Sequence, residues 1–410
     1  PRTYNRSMKL FYTWELGSNL GHIERGVAIG EALRQRGFTT AFAVRDVRSS
    51  AALLSKHSLA FFASPLCAAE KVRPFRPSMS YSDILLCTDF GNTNKVLAQV
   101  RAWIGLIEAV GIDALLIDHS PIALLAARIL GLPTFLVGSG FDVPPQTEPT
   151  PALLGDDSAT ESKRFEIDRR LLASVNSTLE ACKREPICRV AELFTNLPYF
   201  ATTFPELDVY EPRTGVNYVG PVLPVSAKPK ESWRIKNAVH CYAYLRTDTP
   251  GFENLLEALS LSEYEVLCVV PDATEHILAR YNSDQMRVLN RPIDLESVLR
   301  SADVVVSYGG AAVVAQSLLA GVPMLIVSNV PERVMNGRRV ETLGAGAVIT
   351  RIESPEGLGI AIRRLVEQHS YLNAARSFAR KYSGRAKSAA EIIADDVAAK
   401  LNGSTAGTAS

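Results

Sequence analysis

The chain has 410 residues, 47% of them hydrophobic, which is enough to fill the cores of two or three domains and excludes a single small binding module. Its 44 Lys and Arg residues nearly balance its 43 Asp and Glu residues, and the net charge of +1 argues against a nucleic-acid-binding protein. No apolar run reaches the roughly 18 residues that a transmembrane helix needs, and the N-terminal residues lack the pattern of a secretory signal, so we expect a cytoplasmic protein without a transmembrane segment.

Short apolar runs alternate with helical patterns almost from the start of the chain, a pattern typical of parallel α/β layers. In the first half, strands are predicted at residues 9–14, 39–44, 114–117 and 134–137, and helices at residues 23–35, 121–130 and 161–184. The proline-rich loop before the last of these helices, residues 141–158, has no regular pattern, and loops of that length are often functional.

A second series of alternating strands and helices follows in the other half of the chain. Strands are predicted at residues 238–245, 265–270, 303–307 and 323–328, and helices at residues 252–259, 311–320 and 332–343. The segment between the two series is rich in Pro, Lys and Ser and lacks periodicity, which indicates an interdomain linker. The predicted divisions are a first domain over residues 8–222, a linker over 223–237, a second domain over 238–385, a C-terminal helix over 386–401 and a disordered tail over 402–410.

The first strand ends at a glycine-containing turn, WELGSNLGHI (residues 14–23), which places His22 at the start of the next helix. Ligands of open parallel sheets gather beyond the carboxyl ends of the strands, so this histidine should face a ligand. Asp118 ends a strand of the same sheet, and its carboxylate can accept a hydrogen bond from the imidazole. We predict a His–Asp dyad with His22 as general base. The neighbouring His119 is the other candidate for the base, but its side chain should point elsewhere. An isolated histidine at the start of a helix is often only a capping residue or a surface residue.

The strand at residues 303–307 ends at Tyr308, Gly309 and Gly310, after which a helix begins at Ala311. The first amide groups of a helix have no partners inside it, and the helix dipole makes that end positive. An anion such as a diphosphate is therefore favoured there. An isolated Gly-Gly pair more often makes only a tight turn, so the prediction depends on further matches along the chain.

Further matches are present in a fixed order. They are Gly21-His22, LR-x-x-G at residues 33–37, Asp118 followed by LG-x-P at 130–133, VGP at 219–221, Gly309-Gly310, AGVPM at 320–324 and N-x-RRV-x-x-LGAG at 336–346. In this order and at this spacing the chain resembles the glycosyltransferases of the GT-B fold, and in particular the UDP-glucuronosyl and UDP-glucosyl transferases and the bacterial macrolide and antibiotic glycosyltransferases. The resemblance covers most of residues 8–385.

The resemblance implies an α/β protein with two Rossmann-like parallel-sheet domains that face each other across a cleft. It implies inverting, metal-independent transfer of a sugar from a UDP or dTDP sugar to an acceptor hydroxyl, with the nucleotide sugar as co-substrate and no required cofactor. His22 would take the acceptor proton, Asp118 would stabilise the imidazolium, and the two glycines would help to hold the leaving diphosphate. No metal is expected, because the six cysteines lack CxxC spacing and no Asp-x-Asp motif stands in a suitable place.

The donor side departs from the family pattern. Tyr308 stands where the family usually has histidine, Gln316 where it has a ribose-binding glutamate, and Glu332-Arg333 where it has the Asp-Gln pair that holds the sugar hydroxyls. Arg333 is a permanent cation that could bind a carboxylated sugar or a second phosphate, or could pair with a neighbouring acid. The predicted donor-binding residues are Tyr308, Gly309, Gly310, Ala311, Gln316, Glu332, Arg333 and Asn336.

Other functions stay open at this point. One is a GT-B enzyme related to the lipid-linked N-acetylglucosaminyltransferase of cell-wall synthesis, for which Phe61-Phe62 and RPFR at residues 73–76 are candidate membrane-facing segments, or a nucleotide-sugar epimerase. Another is a catalytically silent helper subunit of a glycosyltransferase, against which the retained dyad argues.

The acceptor is predicted to be a small-molecule natural product, with an aromatic or polyketide-like alcohol preferred. It would be bound by the irregular regions at residues 64–88 and 141–170, with Phe75, Tyr81 and Phe141 as apolar walls. We expect a monomer or a homodimer.

Overall fold

The computed structural model describes residues 7–17, 20–66, 78–154, 160–224, 228–351, 353–384 and 387–406, without the side chains of residues 404–406. Phe75 and the predicted RPFR segment lie outside the described residues. The chain divides into two compact units, named here the first unit (residues 1–204, 213–225 and 387–410) and the second unit (205–212 and 226–386). Each unit is a parallel α/β sheet with helices, so the predicted fold class is confirmed.

The first unit contains a seven-stranded sheet. Its strands are β1 (Lys9–Trp14), β2 (Thr39–Val44), β3 (Ala60–Ala63), β4 (Ala114–Asp118), β5 (Thr134–Gly138), β6 (Tyr199–Ala201) and β7 (Asn217–Tyr218). Its helices up to residue 204 are α1 (Gly21–Arg34), α2 (Val47–Lys56), α3 (Tyr81–Leu86), α4 (Thr93–Val110), α5 (Pro121–Leu130) and α6 (Glu161–Ala181). All paired strands are parallel, in the order β3-β2-β1-β4-β5-β6-β7.

The second unit contains a six-stranded parallel sheet. Its strands are β8 (His240–Tyr244), β9 (Glu265–Val269), β10 (Met286–Leu289), β11 (Val304–Ser307), β12 (Met324–Val327) and β13 (Gly346–Ile349). Its helices are α7 (Phe252–Ser260), α8 (Glu275–Tyr281), α9 (Leu295–Leu299), α10 (Ala311–Leu319), α11 (Pro331–Thr342), α12 (Pro355–Glu367) and α13 (His369–Tyr382). The strand order is β10-β9-β8-β11-β12-β13.

Both sheets have a point at which the strand order reverses, between β1 and β4 in the first unit and between β8 and β11 in the second. Loops diverge from the sheet at such a point and leave a crevice outside the carboxyl ends of the two central strands. The strand ends that carry the predicted site residues lie at these two positions, because Trp14 pairs with Asp118 and Tyr244 pairs with Ser307.

The last helix, α14 (Ala389–Ala406), belongs to the first unit. Ile393, Val397 and Leu401 are buried in the same core as Leu33 of α1. The helix continues past the predicted end at residue 401 into the predicted disordered tail, and residues 407–410 lie outside the described part of the chain. Apolar residues at helical spacing along α14 complete a core that the first 204 residues leave open.

The second part of the predicted linker is packed against the second unit. The amides of Arg234 and Ile235 donate to the buried carboxylate of Glu265 at 2.8–3.0 Å, and the indole N–H of Trp233 donates to the carbonyl of Val298 at 3.1 Å. The Trp233 ring also stacks on His240 at 4.5 Å between centroids. These bonds hold the segment in place although its composition is that of a flexible linker.

No helix of the described chain is long and apolar enough to span a bilayer.

Candidate functional site

The predicted dyad residues meet at the reversal point of the first sheet. Asp118 is the last residue of β4, and His22 is the second residue of α1, which follows β1. The Nδ1 atom of His22 lies 2.9 Å from Oδ1 of Asp118. This contact assigns the proton of the neutral ring to Nδ1, since a carboxylate can only accept, and leaves the lone pair of Nε2 free to take a proton.

Asp118 is fully buried and accepts hydrogen bonds from three side chains. Besides His22, Nη1 of Arg25 donates to both carboxylate oxygens at 3.0 and 3.1 Å, and the hydroxyl of Tyr12 donates to Oδ2. Burial by itself would raise the pKa of Asp118, but the charges of Arg25 and His22 and the hydrogen bonds lower that pKa to about 2. The carboxylate is therefore ionised throughout the physiological range.

The His22 ring is held on one face and open at one edge. Trp14 stacks on it with 5.4 Å between ring centroids and 16° between planes, and 21% of the His22 side chain is exposed. Gly17 has φ +95°, and a Cβ atom added there would lie 2.7 Å from Nε2 of His22. Glycine at this position keeps Nε2 uncovered, because a Cβ atom there would lie against this nitrogen.

His119 packs beside the dyad among aromatic rings. Its ring centroid is 6.4 Å from that of His22, and its neighbours are the rings of Tyr81 and Phe141 at 5.9 and 6.5 Å. Burial, followed by the charge of His22, lowers the pKa of His119 to about 3, so this ring is neutral at physiological pH. The hydrogen bonds of Asp118 within the described residues come from His22, Arg25 and Tyr12 and not from His119.

Sequence patterns missed three groups around Asp118. Tyr12 alternates in a strand like any core residue, and Arg25 lies one helical turn after His22, a spacing that places both on one face of α1. Asp142 lies in the loop after β5 and is 7% exposed; its carboxylate packs where a side chain on Gly138 would otherwise lie. Burial, with a further contribution from the negative charge of Asp118, raises the pKa of Asp142 to about 7.

A further buried acid, Glu15, has a structural role. Its carboxylate accepts the amides of Ile122 and Ala123 at 2.9 and 3.1 Å, at the start of α5. Burial raises the pKa of Glu15 to about 7, and the two amide bonds oppose that rise. The positive end of α5 is thus occupied by a residue of the protein itself, which fixes the helix beside β1.

Two of the residues predicted as apolar walls for an acceptor are core residues. Tyr81 and Phe141 are both buried, and their rings meet edge to face at 6.1 Å. Tyr81 also packs against Phe194 at 6.4 Å. They form the layer behind His119 and offer little surface to a ligand. The prediction failed because an aromatic residue in an irregular segment looks the same in sequence whether it faces a pocket or the core.

The predicted anion site lies at the reversal point of the second sheet. Gly309 has φ +86°, and an added Cβ atom would lie 2.7 Å from Cγ2 of Ile326 and 2.9 Å from the carbonyl oxygen of Arg333. Its own carbonyl accepts from Nδ2 of Asn336 at 2.9 Å. Only glycine fits here, and the turn delivers the chain to the N-terminus of α10 with Gly310 at the cap position and no side-chain cap.

Tyr308 and Arg333 form a stacked pair beside this turn. The guanidinium carbon of Arg333 lies 4.4 Å from the centroid of the Tyr308 ring, and the Tyr244 ring packs at 5.3 Å from it. Burial raises the pKa of Tyr308, and the charges of Arg333 and Arg246 oppose the rise. Arg246, just after β8, was not predicted. Among the described residues no carboxylate lies within ion-pair distance of Arg333, so the predicted alternative of a surface ion pair is not observed.

The remaining predicted donor-binding residues lie on the two helices that adjoin the turn. Ala311 is the first residue of α10, and Gln316 follows on the same helix, where its amide donates to the carbonyl of Ala312 at 3.3 Å. Glu332 lies in the first turn of α11 and Asn336 further along it. No group of three or more His, Cys, Asp or Glu side chains suited to a metal ion occurs in the part of the chain that the structure describes.

Solved structures that superpose on this chain include glycosyltransferases. The glycotransferase of kitacinnamycin superposes with a TM-score of 0.67 and 19% identity over 96% of this chain and 98% of that one, and CalG4, the calicheamicin glycosyltransferase, with a TM-score of 0.69 and 16% identity over 97% and 99%. The fold is that of a GT-B glycosyltransferase. A third GT-B structure, the spinosyn rhamnosyltransferase SpnG complexed with thymidine diphosphate, has a TM-score of 0.65 and 16% identity over 94% and 98%.

Sequence comparisons agree with the GT-B fold. Residues 253–399 match the family described as erythromycin biosynthesis protein CIII-like, C-terminal domain. The PGL/p-HBAD biosynthesis rhamnosyltransferase of Mycobacterium bovis (strain BCG / Pasteur 1173P2) is 29% identical over 181 residues, which are 43% of this chain and 40% of that protein. The PGL/p-HBAD biosynthesis glycosyltransferase of Mycobacterium tuberculosis (strain ATCC 25177 / H37Ra) is 26% identical over 202 residues, 48% and 46%. The matched parts are less than half the length of these curated relatives.

Proposed function

We propose that the protein is a glycosyltransferase that moves a sugar from a nucleoside diphosphate sugar to a hydroxyl group of a small-molecule natural product. The observation that carries the proposal is the dyad, in which Asp118 orients His22 and leaves Nε2 as the proton acceptor. SpnG with thymidine diphosphate and the glycosyltransferase VinC in complex with DTDP favour a dTDP sugar as donor over a UDP sugar.

The proposed reaction is a single displacement with inversion at the anomeric carbon. Nε2 of His22 takes the proton of the acceptor hydroxyl as its oxygen forms the new bond to the anomeric carbon. The bond from that carbon to the diphosphate oxygen breaks, and its electron pair leaves with the nucleoside diphosphate. Asp118 stabilises the imidazolium that forms, and one attack from the side opposite to the leaving group gives one inversion.

The leaving diphosphate is proposed to bind at the N-terminus of α10. The turn at Gly309 and Gly310 brings backbone close to the ligand, and the first amides of the helix carry no side-chain cap. Arg333, stacked on Tyr308, supplies a full positive charge beside it. This positive field supports the proposal that catalysis needs no metal ion. Cytoplasmic location, and a monomeric or homodimeric state, remain predictions.

The test is release of nucleoside diphosphate from dTDP and UDP sugars in the presence of a panel of phenolic and aliphatic acceptors. His22→Ala should lower turnover by about a hundredfold or more, the usual contribution of a general base, with dTDP affinity by calorimetry unchanged. The matched control is His57→Ala, since His57 lies on the far side of α1 beside Glu31, 3.5 Å from its carboxylate.

Two results would contradict the proposal in different ways. Equal turnover of His22→Ala and the unaltered protein would remove His22 as the base. A protein that binds dTDP but releases no product with any acceptor would instead favour the helper-subunit alternative.

A further inference from the structure

The Asp118 carboxylate is shared between the base and a fixed cation. Oδ1 of Asp118 lies 2.9 Å from His22 Nδ1 and 3.0 Å from Arg25 Nη1, and Oδ2 accepts from the same Arg25 nitrogen at 3.1 Å. Both partners project from one face of α1, three residues apart, and the Arg25 side chain is 15% exposed. A guanidinium cannot lose its proton at physiological pH, so this charge is permanent.

We infer that Arg25 is a positioning residue that acts through Asp118: by pairing with this carboxylate it matches the dyad to an acidic acceptor hydroxyl, a phenol, in preference to an aliphatic alcohol. The inference rests on the proposed function and names the substrate class of the same site. Among the predicted site residues only the dyad itself is involved, so the inference is independent of the donor-binding unit.

Charge balance is the physical basis. A simple His–Asp dyad has a net charge of −1 at rest and becomes neutral when the imidazole takes a proton. With Arg25 bound to Asp118, the three side chains together are neutral at rest and become positive when the imidazole takes a proton. The charge of Arg25 therefore offsets part of the stabilisation that Asp118 gives to the imidazolium. Tyr12 adds a neutral hydrogen bond to Oδ2 and no charge.

Asp142 is the other acid close to Arg25. Burial and the charge of Asp118 raise the pKa of Asp142 to about 7, so well below neutral pH it is mostly protonated and does not neutralise Arg25. Of the two described acids whose charges act on Arg25, Asp118 is then the ionised one. An assay at about pH 6 therefore isolates the effect of Arg25, and phenols are still un-ionised in solution at that pH.

The hydroxyl group determines how much base strength the reaction needs. For a weakly acidic alcohol, proton transfer must be well advanced in the transition state, and the rate depends strongly on stabilisation of the imidazolium. A phenol spreads its negative charge over the ring and requires less proton transfer. A dyad whose carboxylate is already paired should therefore favour phenols.

The experiment compares matched acceptors, aromatic scaffolds of one to four rings prepared both as phenol and as benzylic alcohol, with a dTDP sugar at about pH 6. We expect the unaltered protein to prefer the phenol in kcat/KM by about a hundredfold. Arg25→Met should reduce this preference about tenfold through kcat, with KM little changed, because removal of the cation helps the alcohol more. Arg25→Lys keeps the charge and should restore the preference.

The control is Arg34→Met on the exposed side of the same helix, where Arg34 pairs with Glu31, and it should leave the preference unchanged. Arg25→Gln serves if Arg25→Met does not fold, as judged by thermal unfolding. Preference of the unaltered protein for benzylic alcohols would overturn the inference, as would an unchanged preference in both Arg25→Met and Arg25→Gln. If no sugar is transferred to any acceptor, the proposed function is overturned, and this inference with it.

Discussion

At the scale of single residues, access to Nε2 of His22 depends on Gly17. Its backbone lies against the open edge of His22, with φ +95° and no room for a Cβ atom beside Nε2. The same glycine therefore permits both the turn and the approach of an acceptor hydroxyl to the ring.

Gly17→Ala should abolish most transferase activity at a modest cost in stability. The methyl group would lie 2.7 Å from Nε2 and displace either the ring or the acceptor. Gly37→Ala is the control, because Gly37 has φ +83° but open space around it. Both variants should lose about 1–2 kcal/mol of unfolding free energy from the left-handed backbone, measured by urea denaturation. Equal activity of the two variants would show that Gly17 does not shape the site.

Asp142 should make the first unit less stable as the pH rises. Its pKa is raised to about 7 in the folded protein, above that of an unfolded aspartate, so the folded state holds the extra proton between about pH 4 and pH 7. The contribution to stability is complete below pH 4 and is lost as the pH rises through 7. Each unit of pKa difference corresponds to about 1.4 kcal/mol of unfolding free energy. The unaltered protein should therefore lose up to about 4 kcal/mol of stability through Asp142 as the pH rises, and Asp142→Asn should not show this loss.

The measurement is the free energy of unfolding at pH 4 and at pH 8. Glu15 has a pKa raised in the same direction, so the aspartate variant should flatten the pH dependence in part and not entirely. Glu108→Gln, on an exposed position of α4, is the control. An unaltered slope in Asp142→Asn would show that the carboxyl titrates as in the unfolded chain.

Sequence reasoning found the two residues of the proposed dyad but not their surroundings. His22 and Asp118 are recognisable because each stands at a strand-to-helix transition, next to a glycine turn or at a strand end. Tyr12 and Arg25 have no such signal, because their importance comes from β1, β4 and α1 meeting around one carboxylate. Contacts between residues about one hundred positions apart in sequence cannot be read from local periodicity.

At the scale of elements, the decisive feature of the second unit is the turn from β11 into α10. Gly309 packs against Ile326 of β12 and the backbone of Arg333 on α11, so it joins three elements at the positive end of a helix. The turn was predicted from the glycine pair, whereas the role of α11 as its neighbour came from the fold.

Gly309→Ala should weaken dTDP binding by about tenfold or more, because the added methyl group would push α11 away from the turn and rotate the first amides of α10. Gly344→Ala is the control, as Gly344 has φ +68° but no atom within 3.8 Å of an added Cβ, the nearest being Ala374 Cβ at 3.9 Å. Calorimetric titration with dTDP distinguishes the two variants. Similar affinity of Gly309→Ala and the unaltered protein would place the diphosphate elsewhere.

The predicted strands agree with the observed bounds to within two residues, while other elements, including the edge strands and the long helix α4, were not predicted. β1, β2 and α5 have the predicted bounds, since long apolar runs and clear breakers such as Pro121 and Gly131 mark them. β6 and β7 contain three and two residues, too few to produce a pattern. Their existence depends on the neighbouring strand that offers them hydrogen bonds.

At the scale of the whole molecule, the chain returns to the first unit at its end. α14 packs along α1, and Arg36 donates to Asp395 at 2.7 Å. The first unit therefore needs residues from both ends of the described chain, and its stability depends on a segment more than 180 residues away from its other helices.

Ile393→Ala should destabilise the first unit by about 2–5 kcal/mol, because the side chain is fully buried in the core that α14 shares with α1. Ile360→Ala makes the same chemical change on an exposed helix position, with Ile360 67% exposed, and should alter stability by less than about 0.5 kcal/mol. Thermal unfolding of the two variants gives the comparison. Equal transition temperatures would mean that α14 is not part of the core.

Local patterns along the chain were sufficient for the α/β class, the two series of strands, the dyad and the glycine turn, because short-range sterics and hydrophobic periodicity govern each of them. Three features required the folded chain: the sharing of Asp118 with Arg25, the burial of Tyr81 and Phe141, and the return of α14 to the first core. Each of these features depends on contacts between segments that are distant in sequence and that bury apolar or charged groups together. A single segment does not contain the neighbours that determine such burial, so it is set by the packing of the folded molecule.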